Sequence, residues 1–211
     1  MSVPALVAIG ALGLAHIAAR YAGPLWLAGV LKPLPIVLLV VLVATGDGTA
    51  GGRFRDCVAV GLVCSLVGDV SLVFPKGFRA GLASFFVAHL LYIAAFAPGG
   101  GWSANVWLVL LPFAAAAVGM LVFLWPHVGR ERPAVAAYVA VLALMAWRAV
   151  VRAPGVPAPG GVLAALGAVV FMVSDSLLAT DRFVRPFRAA EGAVMVTYYL
   201  AQTLIAGSAI V

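Results

Sequence analysis

The sequence predicts an all-α membrane protein: a single integral membrane domain, residues 1–211, built as a bundle of about eight transmembrane helices. Three observations carry that expectation. First, 65% of the residues are apolar, only 9% are charged, and the mean hydropathy is +1.16, a balance that water does not solvate. Second, the apolar residues fall into runs of roughly 20, the length that crosses a bilayer core, and 211 residues hold eight such runs when the connections are short. Third, the runs are continuously apolar, whereas strands of a membrane barrel alternate apolar and polar residues.

The runs and their breaks follow in order. A span at 3–19 ends at "RYAGP", and one at 25–45 opens on "LWLAGVLKPLP" and ends at "TGDGTAGGR". Pro33 and Pro35 remove amide donors from that second span, so it should be distorted there. Spans at 56–74 and 80–97 are separated by "PKGFR", and "PGGG" precedes the span at 103–125. "PHVGRERP" leads into 133–151, "RAPGVPAPGG" into 160–180, and "TDRFVRP" into 189–210. The first span lacks the positive leader of a secretory signal and is expected to be retained. Cys57 and Cys64 form no metal-ligand pattern and are expected to pack as small apolar residues.

Basic residues orient the bundle, because loops left in the cytoplasm carry the excess of Lys and Arg. Loops one, three, five and seven hold Arg20, Lys76, Arg79, Arg130, Arg132, Arg182, Arg185 and Arg188, against Arg53, Arg55 and Arg152 in the opposite loops. Both termini are therefore expected on the non-cytoplasmic side of a bacterial plasma membrane. Loops of this sign against anionic headgroups account for the net charge of +6 without nucleic acid as a partner. Trp26, Trp102, Trp107 and Trp125 lie near span ends, where aromatic belts form.

Asp69, in "SLVGDVSLVF", and Asp175, in "FMVSDSLLAT", stand inside apolar spans, where a carboxylate is costly unless paired, protonated or facing a wet cavity. They lie 175 − 69 = 106 residues apart, about half the chain. At that offset Gly61 meets Gly167, Leu72 meets Leu178, Arg79 meets Arg185 and Tyr92 meets Tyr198, which suggests repeats at 1–102 and 103–211. Four helices per repeat keep one orientation, so a pseudo-twofold along the membrane normal would bring the two acids together. Each sits roughly 8–10 Å, at 1.5 Å per residue, before a basic loop. Lys32 enters the second span at similar depth, available to an aspartate or a phosphate, and Tyr138 takes its place in the second half (32 + 106 = 138). Phe85, His89 and Tyr92 share a helix face, as do Met195, Tyr199 and Gln202, with Tyr198 beside them. His16 reads as interfacial filler and His127 as a loop residue; no third ligand accompanies His89, so no metal is expected.

The ordered set "LKPLP", "GDVSL", "FFVAHLLY", "AYVAVLALM", "GAVVFMVSDSLLA" and "VTYYLAQTLI" resembles the YhhN-like lysoplasmalogenase family across nearly the whole chain. The resemblance implies cleavage of the vinyl ether bond of lysoplasmalogens to a fatty aldehyde and glycerophosphoethanolamine or glycerophosphocholine, without a cofactor. It points to Lys32, Asp69, His89, Tyr92, Asp175, Tyr199 and Gln202 as site residues. A vinyl ether opens by protonation of the carbon β to its oxygen, followed by attack of water on the oxocarbenium ion. Two neighbouring carboxyls, one protonated and one ionised, supply the acid and the stabilising charge. Asp69 and Asp175 are the expected catalytic pair, His89, Tyr92, Tyr138, Tyr199 and Gln202 its positioning groups, and Lys32 a phosphate contact. The expected partners are a lysophospholipid, water and membrane lipids. A hydrolase of another lysophospholipid, or a proton-coupled transporter using the same acids as a relay, is the alternative. The charge distribution makes one outcome concrete: a reporter fused to the C-terminus reads out on the non-cytoplasmic side.

Overall fold

The computed structural model describes residues 1–46, 50, 52–97 and 106–211, and among these every regular element is helical. The helices are α1 (Val3–Ala22), α2 (Leu25–Leu31), α3 (Leu34–Thr45), α4 (Gly52–Val73), α5 (Phe78–Ala95), α6 (Val106–Leu124), α7 (Arg132–Arg152), α8 (Gly160–Ala179) and α9 (Ala190–Ser208). The second span is thus two helices, divided at Lys32 and Pro33. The cause lies in the ladder: Pro33 and Pro35 each lack the N–H that a helix interior requires. The third span begins earlier than its apolar run, because Arg53, Arg55 and Asp56 belong to the first turns of α4. The loop "PGGG", Trp102 and the start of the fifth span at 103–105 lie outside the described residues, as do 47–49 and 51 in the second loop.

Seven helical segments among the described residues are long and apolar enough to cross a membrane, with α2 and α3 counted as one, and the chain is a multi-pass membrane protein. The remaining helix, α9, carries Thr197, Tyr198, Tyr199, Gln202 and Ser208. It is also the most enclosed, packing against α8, α3, α1 and α4, so its polar groups face protein. Intramembrane polar groups take such interior positions because lipid offers them no partner. In contrast, α6 rests mainly on α7 and buries only Val106 and Leu124.

The most extensive helix pairings are α4 with α5 and α8 with α9, and both depend on glycine. Gly61 admits the Tyr92 ring so closely that a Cβ there would stand 2.4 Å from Cε1. Gly167 admits the backbone of α9, with Ala201 O at 2.9 Å and Ile205 N at 3.0 Å from the position of a Cβ. Small residues that let helices approach are the usual basis of packing in lipid, where apolar burial alone gives no net drive.

The basic loops gather at one end of the bundle. Arg79 donates to Glu131 Oε1 through Nε at 3.0 Å and Nη2 at 2.6 Å, and Phe78 meets Phe183 edge-on at 5.8 Å. Tyr21 Oη–H donates to the Arg188 carbonyl at 3.0 Å and accepts the Gly192 N–H at 3.1 Å. At the other end Arg55 donates to the carbonyls of Val43 and Ala44, capping α3, and Arg152 stacks 4.2 Å above Phe54. Gly167→Ala should cost about 1–3 kcal/mol of stability because backbone cannot yield. Gly10→Ala, with no atom within 4 Å of its Cβ, should not, and thermal unfolding of the two variants in detergent compares them.

Candidate active site

Asp69 lies on α4 with 1% of its surface exposed. Three helices bring it partners. From the break between α2 and α3, Lys32 places Nζ 4.0 Å from Asp69 Oδ1, and from α9 the Tyr198 hydroxyl donates to Oδ2 at 2.7 Å. Behind Tyr198 the chain of donors continues: Gln202 Nε2 donates to Tyr198 Oη at 3.4 Å, and Tyr92 Oη–H donates to Gln202 Oε1 at 2.8 Å. Each hydrogen in this series points toward Asp69. The file of donors thus ends on one carboxylate oxygen while Lys32 faces the other.

Asp175 lies on α8, and the Tyr138 hydroxyl of α7 donates to its Oδ2 at 2.6 Å. Lys32 and Tyr138, 106 residues apart, therefore each meet the aspartate nearer in sequence. One brings a positive charge and the other a neutral donor. Tyr92 and Tyr198 do not correspond in this way, since Tyr198 reaches Asp69 while Tyr92 reaches Gln202.

The two carboxyls line one polar cavity of about 60 Å³, together with Lys32, Ser174, Tyr198 and, toward the basic end, Asp181 and Glu191. A water requires about 10–15 Å³ of such space, so the cavity has room for a few. Asp175 also lines a second cavity of about 100 Å³ that is largely apolar, walled by Phe78, Leu82, Ala117, Met120, Leu142 and Met172 among others, with Tyr138, Ser176 and Arg182 as its other polar residues. Asp175, Leu72, Phe85 and Leu178 are common to both. The site is thus amphiphilic, a chamber carrying charged groups beside a greasy cleft, with one carboxyl group on the border of both.

An aromatic wall holds the acids apart from the rest of the core. Phe171 meets His89, Tyr198 and Phe85 edge-on at 4.7, 5.6 and 6.4 Å, and His89 meets Tyr138 at 5.3 Å. The expected face of Phe85, His89 and Tyr92 is buried here. His89 bonds through Nδ1 to the Phe85 carbonyl, and its Nε2 has no protein partner among the described residues. His89 contacts neither aspartate by a hydrogen bond; it braces the tyrosine that does.

Three expectations about neighbouring residues change. Gln202 works with Tyr198, one turn before it, rather than with Tyr199, because α9 is buried on several faces. Tyr199 turns the other way, donating to the Lys32 carbonyl at 2.9 Å and accepting from His16 Nδ1 at 2.9 Å. His16 is accordingly a buried partner of Tyr199 and not interfacial filler. Tyr198, not singled out for the site from the sequence, is the direct donor to Asp69; its match to Tyr92 at the 106-residue offset was the available signal. Lys32 is held in place by its carbonyl as well as its ammonium, and with 9% of its surface exposed it is an interior residue. Among the described residues no three His, Cys, Asp or Glu side chains converge as metal ligands.

Residues 27–209 match the model of the YhhN family. The chain is 38% identical over 182 residues to a lysoplasmalogenase TMEM86B of Sus scrofa, which covers 86% of this chain and 75% of that protein. It is 36% identical to the lysoplasmalogenase TMEM86B of Homo sapiens, over 88% of this chain and 76% of that one. A lysoplasmalogenase of Mycobacterium tuberculosis is 30% identical over 80% of this chain and 66% of its own length. No solved structure matches.

Removing Lys32 while leaving Asp69 strands a charge inside the bundle. Lys32→Met should therefore destabilise the protein by about 3 kcal/mol, and adding Asp69→Asn should recover part of that loss. Thermal unfolding of both single variants and the double variant checks the coupling.

Proposed function

The chain belongs to the YhhN family, and from that premise we propose that it is a membrane-embedded hydrolase of the vinyl ether bond of lysoplasmalogens. The products are a fatty aldehyde and glycerophosphoethanolamine or glycerophosphocholine. The observation that carries this reading is the position of Asp175, which lines both the apolar cleft and the polar cavity that it shares with Asp69. A lysoplasmalogen has the same division. Its alkenyl chain suits the cleft, the cationic amine of its headgroup suits the carboxyl-lined chamber where Lys32 is left for the phosphate, and the vinyl ether lies where the two meet.

The chemistry needs an acid, an anion and a water. Asp69 and Asp175 act as a pair holding one proton, which attacks the β carbon of the vinyl ether, while the other carboxylate faces the oxocarbenium ion. Water from the polar cavity adds to the cation, and the resulting hemiacetal collapses. Lys32 has donors to spare beyond its 4.0 Å contact with Asp69 and offers them to the substrate phosphate. Tyr138 and Tyr198 orient the acids, Tyr92 and Gln202 support Tyr198, His89 braces Tyr138, and Tyr199 fixes the backbone that carries Lys32.

The wider arrangement is part of the same reading. The chain forms one domain of two parallel four-helix repeats, 1–102 and 103–211, supported by the matched pairs Lys32/Asp69 and Tyr138/Asp175. The end that gathers the basic loops faces the cytoplasm of a bacterial cell, which places both termini on the opposite side. The polar cavity, with Asp181 and Glu191 near those loops, opens toward that cytoplasmic end.

Purified protein given a lysoplasmalogen in deuterated water should release aldehyde carrying deuterium on the carbon next to the carbonyl. Unlabelled aldehyde would refute protonation at carbon, and absence of aldehyde would refute the activity on this substrate. Asp69→Asn and Asp175→Asn should each lower turnover by about 1,000-fold or more, as expected when a group acting directly in the transition state is lost. Proton flux in liposomes without aldehyde would instead fit a proton-coupled transporter.

A further inference from the structure

We infer that Asp175 is the acid that protonates the vinyl ether and that Asp69 is the carboxylate that steadies the resulting cation, an assignment of roles that rests on the hydrolase reading above. Three features of the site carry it. The first is the partners. Asp69 faces the Lys32 ammonium and the Tyr198 hydroxyl, whereas Asp175 has the Tyr138 hydroxyl on Oδ2, and among the described residues no Lys, Arg or His nitrogen within 4.0 Å. Asp181 and Glu191 stand at the basic end of the cavity; of the two carboxyls within the spans, the one beside a fixed cation keeps its charge and the other holds the proton.

The second is the direction of the hydrogen bonds. The series from Tyr92 through Gln202 to Tyr198 delivers donors to Asp69 alone. Asp175 receives one donor, and its Oδ1 remains for a proton aimed at substrate.

The third is where each carboxyl stands relative to the substrate. In a vinyl ether the carbon that accepts the proton lies one bond farther along the alkenyl chain than the carbon that becomes cationic. The acid must therefore reach in from the side of the chain, and the anion must lie on the side of the headgroup. Asp175 borders the apolar cleft as well as the polar cavity; Asp69 borders the polar cavity.

The steps then balance without a further reactant. The π pair of the alkene takes the Asp175 proton and forms the new C–H bond, leaving an oxocarbenium ion opposite the Asp69 carboxylate. A water oxygen bonds to the cationic carbon, and the proton it sheds restores Asp175. As the bond to the glycerol oxygen breaks, the hemiacetal hydroxyl's proton passes through cavity water to that departing oxygen. That oxygen leaves with a proton, and the aldehyde forms.

The test uses two unreactive probes with the intact protein. One is a lysophosphatidylethanolamine analogue with a secondary ammonium in place of the vinyl ether oxygen, which mimics the cation. The other is the neutral saturated ether, which reports whether the site is formed. The wild-type protein should bind the ammonium probe at least about 10-fold more tightly than the ether, Asp175→Asn should keep that affinity within about threefold, and Asp69→Asn should lose about 100-fold while still binding the ether. The reverse pattern, an equal loss in both variants, or no preference for the ammonium probe in the wild type would overturn the assignment. Should Asp69→Asn fail to bind the ether, Asp175→Asn decides alone: retention of the ammonium probe supports the assignment and its selective loss overturns it. Failure of the wild type to bind either probe counts against the hydrolase reading itself, and is thereby distinct from failure of the assignment.

Discussion

A carboxylate enclosed by apolar helices keeps its charge only where cationic or hydrogen-bonding partners replace the water it has lost. At Asp69 the compensation comes from two directions, the ammonium of Lys32 and the hydroxyl of Tyr198, and much of the bundle follows from supplying them. To bring an ammonium to that depth, the second span breaks at Pro33, and Tyr199 takes up the Lys32 carbonyl. To bring the hydroxyl, a helix too polar to count among the apolar spans occupies the interior, with Gln202 and Tyr92 in file behind it. His16 on α1 completes the far side of the same arrangement through Tyr199. Helices α1, α4, α5 and α9 and the break between α2 and α3 thus bear, directly or through a chain of contacts, on a single charge.

The second aspartate shows what the same position becomes with a neutral partner. Tyr138 stands where Lys32 stands in the first half of the chain, and its hydroxyl replaces a full charge with a dipole. Two acids of the same residue type thereby acquire different surroundings, the usual basis on which one fold assigns acid and base roles to a carboxyl pair. The aromatic wall of Phe85, His89 and Phe171 packs edge-on against Tyr138 and Tyr198 and so holds the two hydroxyl donors in their places.

Much of this was legible in the sequence, for a reason that lies in composition. With charged residues at 9% of the chain, Asp69, Asp175 and Lys32 stood out, and the 106-residue offset tied them to one another and to Tyr138. The break at Pro33 was equally plain, since a missing N–H is a property of the residue alone. Tyr198 was hidden because periodicity selects one face of a helix, and α9 buries several faces; Tyr198 and Tyr199 point to different neighbours. His16 was hidden because its partner lies 183 residues away. The two cavities were invisible for a deeper reason. They are spaces bounded by four or more helices, and no local pattern records the distance between side chains on different elements.

The polarity of α9 also bears on how the protein is made. Synthesis runs from the N-terminal side to the C-terminal side, so Lys32 and Asp69 leave the ribosome well before residues 190–208. Until then Asp69 has the lysine but no tyrosine, and the groove between α1, α3, α4 and α8 that will receive α9 is lined by groups without their final partners. Helix α9, whose hydropathy gives it a weak claim on lipid, finds in that groove the acceptors its own hydroxyls need. The polar residues around Asp69 and Lys32 thus do for α9 what lipid does not: they give a helix rich in hydroxyls a place inside the bundle.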